Sequence, residues 1–369
     1  MTDALTPSPS APVAEPGPPW LWPVEAALRL AGSGLDFLEE AAKIACPPPP
    51  RWATANTVRL DLPTMRLRAF GDPEAGTIPV LIDAPYAGHS ATIADYDVGQ
   101  SLVATLLANG VRRAFVTDWK PATPEMRNFS IDTYLAELNV AIDDLGGAVH
   151  LVGLCQGGWL SAMLAARFPA KVTSLVLAGS PIDTDAGDGP IRRLAHDLPM
   201  ESYRAMVEMG DGLMPGRFML TGWKNMHPAE QYVDRFVTLY THMSDRNHLD
   251  RTETFASWYE TPLDLPGAYY LQAIEQLFKQ NLLAKGAFVG LGRRIDLGRI
   301  RCPVYLLAGE NDDITTPEQV FAARGLVGTA PDDVTERLVP GGHIGLFMGR
   351  RTLAETWPDI ARWIERANG

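Results

Sequence analysis

The stretch VHLVGLCQGGWLSAMLAARFPAKV, residues 149–172, predicts a buried strand, a sharp turn and a helix in immediate succession. The apolar run ends at Leu154, and after Gly157 large apolar residues recur at helical spacing. Gly153 and Gly157 flank Cys155 because so tight a turn leaves no room for side chains beside its central residue. The turn lifts the Cys155 sulfur above the strand end, at a helix N-terminus whose dipole favours a thiolate. A buried structural cysteine is the common alternative, but this setting favours a nucleophile.

Strands and helices alternate on both sides of this stretch. Residues 78–85 and 112–119 have the apolar pattern of buried parallel strands, with a helical segment between them. Sheet character returns in CPVYLLAGEND and VTERLVPGGH, before a closing helix. The pattern predicts an α/β protein with a mostly parallel sheet and helices on both faces. Together with the turn at Cys155, it predicts an α/β-hydrolase fold.

Changes in composition divide the chain into segments. We expect a disordered, proline-rich tail at 1–20, an N-terminal helical segment at 21–56, an α/β-hydrolase core at 57–184 and 288–369, and a helical cap insertion at 185–287. Seven of the twelve methionines lie in the predicted cap. They fit either ordinary helix packing or an adaptable apolar groove for substrate.

Composition and charge exclude several classes of function. The net charge of −12 argues against a nucleic-acid binder. The three cysteines Cys46, Cys155 and Cys302 are widely spaced and form no CxxC pair, so neither a disulfide framework nor a metal site is expected. The chain has no signal-peptide pattern and no apolar run long enough for a transmembrane segment. We therefore expect a soluble cytoplasmic protein without a cofactor.

The partners of a Cys155 nucleophile follow from chain order. In α/β-hydrolases an acidic residue follows a late strand, and a histidine comes last. Asp312 follows the apolar strand YLLAG, with Asp313 and Glu310 as alternatives for the acid. His343 lies between glycines before the last helix and is the only histidine after position 248. The order predicts a catalytic triad of Cys155, Asp312 and His343.

The remaining site residues come from two turns. The backbone N–H of Gln156 is expected to form an oxyanion hole with the N–H of Tyr86, or alternatively of Ala87, in the loop after the strand at 78–85. His89 lies in the same loop and is expected either to contact substrate or to order the loop. Trp159, on the helix after the nucleophile, is a second predicted substrate contact.

Several longer motifs resemble a known group of enzymes. GLCQGG, AGENDDITTPEQVFAA, GGHIGLFMGRR and YYLQAIEQLFKQNLLAKG are similar to the polyhydroxyalkanoate enzymes, which comprise intracellular depolymerases and, more distantly, short polyester synthases. The resemblance extends from about Pro79 to Ala367. It implies an α/β-hydrolase fold with a Cys/Asp/His triad, carried over onto Cys155, Asp312 and His343.

The two groups resemble different stretches of the chain. GLCQGGW, FPAKV and IDLGRIRCPV are similar to the synthases, whereas YYLQAIEQLFKQNLLAKG, the doubled acid of ENDDI and IGLFMGRR are similar to the depolymerases. The depolymerases usually have a proline after CQ, where this chain has Gly157. The resemblance implies either reaction, because an acyl-thioester on Cys155 can pass its acyl group to water or to an alcohol.

Our first interpretation is an intracellular polyhydroxyalkanoate depolymerase that hydrolyses a storage polyester of the poly-3-hydroxybutyrate type. The alternatives are a polyhydroxyalkanoate synthase that polymerises 3-hydroxyacyl-CoA, a generic thioesterase or acyltransferase, and a non-catalytic granule-associated protein. The expected partners are the polymer or its oligomers, a CoA thioester for a synthase, and a second copy of the chain.

A polyester granule would be met at a surface, so the protein needs exposed apolar residues. The helix around Leu28 to Leu38 is one candidate, although core packing explains its pattern as well. Five residues of the predicted cap are the second: Met206, Met209, Met214, Phe218 and Met219.

Overall fold

A computed structural model of the chain describes residues 22–367, without the side chains of 22–31 and 33. The predicted tail at 1–20 therefore lies outside the described residues, as does the side chain of Leu28. Within the described part of the chain, no helix is both long and apolar enough to cross a membrane.

Eight strands form one sheet in the order β1-β2-β6-β3-β7-β8-β13-β14. The strands of the chain are β1 (Thr57–Asp61), β2 (Met65–Gly71), β3 (Val80–Asp83), β4 (Asp95–Asp97), β5 (Gln100–Ser101), β6 (Arg113–Trp119), β7 (Val149–Leu154), β8 (Val172–Ala178), β9 (Leu213–Met214), β10 (Leu265–Pro266), β11 (Val289–Gly290), β12 (Arg293–Arg294), β13 (Val304–Gly309) and β14 (Val334–Val339). β1 and β2 pair antiparallel, as do β2 and β6, whereas all pairs from β6 to β14 are parallel. The prediction of a mostly parallel sheet is confirmed.

Helices cover both faces of this sheet. The α-helices are α1 (Trp22–Ala45), α2 (Leu102–Ala108), α3 (Ile131–Asp144), α4 (Gln156–Arg167), α5 (Pro190–Asp197), α6 (Met200–Met209), α7 (Gly216–Met226), α8 (Arg235–Thr241), α9 (Arg246–Tyr259), α10 (Gly267–Gln272), α11 (Pro317–Phe321), α12 (Ala323–Leu326), α13 (Gly345–Met348), α14 (Arg350–Glu355) and α15 (Trp357–Arg366). Side chains alternate along the strands, so that Leu151 of β7 packs with α3 and α4 on one face and Val152 packs with α2 and α15 on the other. Both faces are covered, which is why β3, β7 and β13 are buried along their whole length.

Helices α5 to α10 follow β8 and precede β13 in the sequence, although these two strands are neighbours in the sheet. They fall within the segment that the sequence predicts as a cap. The segment also contains β9 and β10, two strands of two residues each that pair antiparallel. These strands are too short to give a periodic sequence pattern, and the sequence analysis did not predict them.

Helix α1 packs on the cap helices rather than on the sheet. The Phe37 and Tyr240 rings meet edge to face with centroids 5.6 Å apart, and Ile44 is buried with Leu239 of α8. Leu35 and Leu38 of the same helix are exposed. One face of the helix is thus packed on the cap, and contact of its exposed residues with an apolar surface stays a prediction.

Most of the cap residues predicted to contact a granule are not at the surface. Met209 is 72% exposed, but Met214 is buried. Met206, Phe218 and Met219 are half-buried and line a cavity next to Cys155. The prediction of a granule-binding surface formed by all five residues is therefore wrong, because four of them pack inside the cap.

Candidate active site

Cys155 lies in the sharp turn between β7 and α4, as the sequence predicts. Its backbone has φ 51° and ψ −118°, a conformation that residues with a side chain rarely adopt. Two glycines make this turn possible. A Cβ at Gly153 would clash with the backbone of Gly158, and a Cβ at Gly157 would clash with the carbonyl oxygen of Asp83.

His343 and Asp312 meet at the same end of the sheet. The His343 Nδ1–H donates to Asp312 Oδ2 at 2.7 Å, and both side chains are buried. Asp312 Oδ1 accepts the backbone N–H groups of Ile314 at 3.0 Å and Thr315 at 2.8 Å. These bonds fix the carboxylate, and the carboxylate in turn fixes the imidazole.

The thiol of Cys155 completes this arrangement. Burial lowers the pKa of His343, but the charges of Cys155 and Asp312 and the hydrogen bonds between His343 and both residues outweigh it, so that the pKa of His343 is raised well above its usual value. The structure thus brings together the three residues predicted as a triad.

Asp313 and Glu310, the alternatives for the acid, lie in surroundings different from those of Asp312. Asp313 Oδ2 accepts a hydrogen bond from His227 Nε2 at 2.7 Å, and both of these side chains are partly exposed. Glu310 is exposed. The geometry therefore favours Asp312 as the partner of His343.

The loop after β3 presents Ala87, rather than Tyr86, to the space around Cys155. The Tyr86 hydroxyl donates to the carbonyl oxygens of Lys120 at 3.0 Å and Asp264 at 3.3 Å, and its side chain is buried in the core. Ala87 lines both cavities that reach Cys155. Gln156 is the first residue of α4. The direction of the Tyr86 side chain does not decide which backbone N–H faces Cys155, so Tyr86 and its alternative Ala87 both stay predictions as the second oxyanion donor.

His89 has the surroundings of a residue that orders its loop. Its Nε2–H donates to the carbonyl oxygen of Tyr259 at 3.1 Å, and its ring stacks on Trp258 with centroids 4.6 Å apart. Burial lowers the pKa of His89 to about 4, so the ring is neutral at pH 7. His89 also lines a cavity beside Cys155, so a substrate contact stays a prediction.

A segment of the cap, residues 258–264, holds the loop 86–90 through further hydrogen bonds. The backbone N–H of Leu263 donates to the Gly88 carbonyl oxygen at 2.7 Å, and Trp258 Nε1 donates to the Ser90 carbonyl oxygen at 3.0 Å. Sequence reasoning missed this contact. The corresponding signal in the sequence is the aromatic cluster FASWY, which is equally typical of a buried helix.

Two cavities meet at Cys155. The first has a volume of about 350 Å³ and contains His343, His89 and the aromatic side chains of α9. The second has a volume of about 280 Å³ and extends under the cap. Their shared lining residues are Ala87, Cys155, Trp223, Met226 and Ile314. Trp159, the other predicted substrate contact, is buried and lines the second cavity.

Asp83, at the end of β3, is an ionisable group that sequence reasoning missed. It is fully buried, and its oxygens accept hydrogen bonds from Ser161 Oγ at 3.1 Å and Thr117 Oγ1 at 3.2 Å. Burial raises the pKa of Asp83 to about 8, against the smaller effect of these hydrogen bonds, so the carboxyl is largely protonated at pH 7. Its carbonyl oxygen packs against Gly157, directly beneath the nucleophile turn.

The other two cysteines differ from Cys155. Burial raises the pKa of the Cys302 thiol to about 12, which keeps it protonated. Cys46 is exposed at the end of α1. Among the described residues, no group of three or more His, Cys, Asp or Glu side chains is placed to hold a metal ion.

The C-terminal half of the chain matches the family described as "PHB de-polymerase C-terminus", over residues 179–368. The chain belongs to this family. The matched segment contains Asp312 and His343 but begins after Cys155. The prediction of a relationship to the polyhydroxyalkanoate enzymes is confirmed at this level.

Curated relatives extend the similarity to the N-terminal half. The "Poly(3-hydroxyalkanoate) polymerase subunit PhaC" of Haloferax mediterranei is 28% identical over 289 residues, which are 77% of this chain and 56% of that protein. The protein of the same name from Allochromatium vinosum is 27% identical over 347 residues, 91% of this chain and 94% of that protein. The chain thus spans little more than half of the first relative and almost all of the second.

Solved structures show the same fold at low sequence identity. A monoacylglycerol lipase from Paleococcus ferrophilus has a TM-score of 0.54 and 18% identity, covering 82% of this chain and 99% of that chain. A carboxylesterase from Nitrososphaera gargenis has a TM-score of 0.51 and 14% identity, covering 84% and 98%. The predicted α/β-hydrolase fold is confirmed. This fold and the relatives named as polymerase subunits together support the prediction of an enzyme.

The depolymerase interpretation of the sequence is wrong. The family description contains that word, but it applies to a segment without the nucleophile. Four relatives that include the Cys155 region are named as polymerase subunits, in Haloferax mediterranei, Allochromatium vinosum, Haloarcula marismortui and Synechocystis. The motifs similar to depolymerases lie within residues 179–368, the segment that the family description covers, and the polymerase subunit of Allochromatium vinosum matches 91% of the chain, so these motifs did not distinguish the two reactions.

Proposed function

We propose that the protein is a polyhydroxyalkanoate synthase, which transfers 3-hydroxyacyl groups from a CoA thioester to a growing polyester. The observation that carries this proposal is the polymerase subunit of Allochromatium vinosum, which matches this chain over nearly the full length of both. The contacts of Cys155, His343 and Asp312 supply the chemistry that acyl transfer needs.

The first half of the reaction moves the acyl group onto the protein. The Cys155 thiolate attacks the thioester carbonyl carbon, and backbone N–H groups at Gln156 and in the loop 86–90 stabilise the oxyanion. The bond from carbon to the CoA sulfur then breaks. The CoA thiol leaves with the proton of His343, and a hydroxyacyl thioester remains on Cys155.

The second half forms the ester bond. The hydroxyl group of another hydroxyacyl chain gives its proton to His343 and attacks the thioester carbonyl, which releases the Cys155 thiolate. Asp312 holds the imidazole in the required orientation in both halves. A thiol suits this reaction better than a hydroxyl, because exchange between two thioesters keeps the acyl group activated for the alcohol.

The two cavities support transfer to an acceptor other than water. One cavity can hold the acyl group bound to Cys155 while the other admits the hydroxyl group of the acceptor. The aromatic residues of the first cavity, Phe255, Trp258 and Tyr259, reduce the access of water to the acyl-enzyme. Low water access favours polymerisation over hydrolysis.

Incubation of the purified protein with (R)-3-hydroxyacyl-CoA tests the proposal. We expect release of free CoA together with insoluble polyester, and loss of both in Cys155→Ala, by about 10⁴-fold or more. Release of CoA with free hydroxyacid and no polymer would identify a thioesterase instead. A protein inactive towards every such thioester would support the non-catalytic alternative.

The cellular setting is part of the same proposal. We expect the enzyme to lie in the cytoplasm on the surface of the polyester granules that it makes. Assembly with a second copy of the chain stays a prediction, which sedimentation of the active enzyme would test. The expected ligands are the CoA thioester and the polymer.

A further inference from the structure

The second cavity has a lining that differs from the first in chemistry. It begins at Cys155 and Gln156 and runs under the cap. Its remaining lining is almost entirely apolar: Trp159, Ile191, Leu194, Leu198, Tyr203, Met206, Met214, Phe218, Met219, Trp223, Leu265, Tyr270, Ile274 and Phe278. A space of this kind next to a nucleophile is suited to a hydrocarbon chain attached to the reacting carbonyl.

The volume of the cavity sets the length of that chain. At ~30 Å³ for each water-sized group, a cavity of about 280 Å³ has room for about nine groups. A four-carbon hydroxyacyl unit would occupy about two thirds of it and leave the rest unfilled. A unit of about eight carbons fills it, and filling restores the packing contacts that a void lacks.

The donors of the cavity fit one hydroxyacyl unit rather than several. The indole Nε1–H groups of Trp159 and Trp223 are buried and have no hydrogen-bond acceptor among the described residues. Both side chains line the cavity. A stretch of short-unit polyester would bring an ester group with every few carbons, and each buried oxygen without a donor weakens binding. One alkyl-bearing unit brings few oxygens and much apolar surface.

We propose that this cavity binds the alkyl side chain of a medium-chain 3-hydroxyacyl unit, of about eight carbons, and that the enzyme prefers such units to four-carbon units. The inference rests on the proposed synthase function for its substrate, and on the cavity alone for the length of the chain. Each methylene that enters the cavity favours binding about fourfold, so the preference is expected to exceed tenfold.

The first experiment measures CoA release from (R)-3-hydroxyacyl-CoA with four, six, eight and ten carbons. We expect kcat/KM to rise by tenfold or more from the four-carbon to the eight-carbon substrate. Equal or higher kcat/KM with the four-carbon substrate would overturn the inference and leave the synthase function intact.

The second experiment probes the cavity without catalytic turnover, by the rate at which alkyl reagents label Cys155. Alkyl methanethiosulfonates transfer their alkylthio group to a thiolate, forming a disulfide and releasing methanesulfinate. We expect the octyl reagent to label Cys155 at least tenfold faster than the butyl reagent, relative to Cys46 on the same chain, which is exposed and reports the intrinsic reactivity. Equal relative rates for the two reagents would overturn the inference.

A substitution that narrows the cavity tests whether the preference for longer chains, in CoA release and in labelling, arises in this cavity. Gly222 of α7 lines the cavity, and an added Cβ would meet no heavy atom within 4 Å, so Gly222→Leu is compatible with the fold. We expect it to lower the octyl-to-butyl ratio at Cys155 several-fold. Gly34→Leu is the matched control, because Gly34 is a helical glycine of α1 with equal space and lies outside the cavity.

The two experiments distinguish a failure of the cavity inference from a failure of the proposed synthase function. A protein that releases no CoA from any substrate, but whose Cys155 prefers the octyl reagent, would retain the cavity inference and lose the synthase function. A Gly34→Leu variant that changes the ratio as much as Gly222→Leu would show that the preference does not arise in this cavity.

Discussion

The strained backbone of Cys155 is maintained by the residues beneath it. The turn packs so closely on β3 that Gly157 contacts the Asp83 carbonyl, and Asp83 is in turn bonded to Ser161 of α4. Strain of this kind persists only where surrounding structure enforces it. The position of the sulfur is therefore a property of β3, β7 and α4 together.

The choice of the catalytic acid can be tested at the level of single residues. We expect Asp312→Asn to lower kcat by about 10³- to 10⁴-fold, because the amide no longer holds His343 in the productive tautomer. Asp313→Asn is the matched control, since Asp313 bonds His227 instead, and its kcat should change by less than about threefold. CoA release measures both, and equal losses would contradict the assignment.

The buried Asp83 carboxyl predicts how stability depends on pH. An unfolded aspartate ionises near pH 4, whereas the folded protein holds this proton to about pH 8. Between these values the folded state binds one proton more than the unfolded state. The contribution of Asp83 to the free energy of unfolding therefore falls as pH rises, by on the order of 1 kcal/mol per pH unit.

The variant Asp83→Asn removes this titration. We expect its free energy of unfolding, relative to the unmodified protein, to increase steadily from pH 5 to pH 8. Urea denaturation at each pH measures the difference. A difference that stays constant over this range would show that Asp83 does not keep its proton in the folded state.

Among the structural elements, the cap segment 258–264 has a direct effect on the site. It donates two hydrogen bonds to the loop that carries the predicted oxyanion donor, from Trp258 Nε1 to the Ser90 carbonyl oxygen and from Leu263 N–H to the Gly88 carbonyl oxygen. A shift of the cap would move this loop relative to Cys155. We infer that the cap takes part in positioning the catalytic groups.

The variant Trp258→Phe tests this role of the cap. It removes the hydrogen bond to Ser90 while keeping an aromatic ring against His89. We expect kcat to fall by about tenfold with a much smaller change in KM, because the loss affects the transition state. Trp363→Phe, on the C-terminal helix next to Tyr305, is the control for general loss of packing. A change in KM alone would contradict the prediction.

The sequence predicted those elements whose pattern is set by burial. The buried strands β3, β6 and β7 were visible as apolar runs, and the turn at Cys155 as glycines around a thiol. The direction of the Tyr86 side chain was not visible, because it depends on the carbonyl groups of Lys120 and Asp264, which are distant along the chain. The partial burial of Met206 and Phe218 also depends on residues distant along the chain, so the sequence did not show whether these side chains are exposed.

At the scale of the whole molecule, an exposed apolar surface lies on α1 and α8. It consists of Leu35, Leu38, Val237 and Tyr240, all more than half exposed. Contact between Phe37 and Tyr240 joins the two helices. An enzyme with an insoluble product stays close to the surface of that product, and apolar patches favour such contact. We expect this surface to face the granule.

Replacing Leu35 and Leu38 together by Gln tests this surface. We expect several-fold less protein to sediment with polyester granules, with CoA release from soluble substrate unchanged. The control replaces Val98 and Val289 by Gln, because these residues are also exposed but lie elsewhere on the protein. Equal loss of sedimentation in both variants would mean that granule contact is not specific to α1.

The order of the strands also determines when the site is complete during synthesis. β8 pairs with β13 in the sheet, but the ribosome synthesises the whole cap after β8 and before β13. His343 follows Cys155 by 188 residues (343 minus 155), which takes about 10–40 s at roughly 5–20 residues per second. Within that interval, β13 begins 126 residues after β8 ends (304 minus 178), and until β13 is made one edge of β8 lacks its partner strand and is open to pairing with other chains. The nascent protein therefore carries its thiol for tens of seconds before the imidazole that activates it exists.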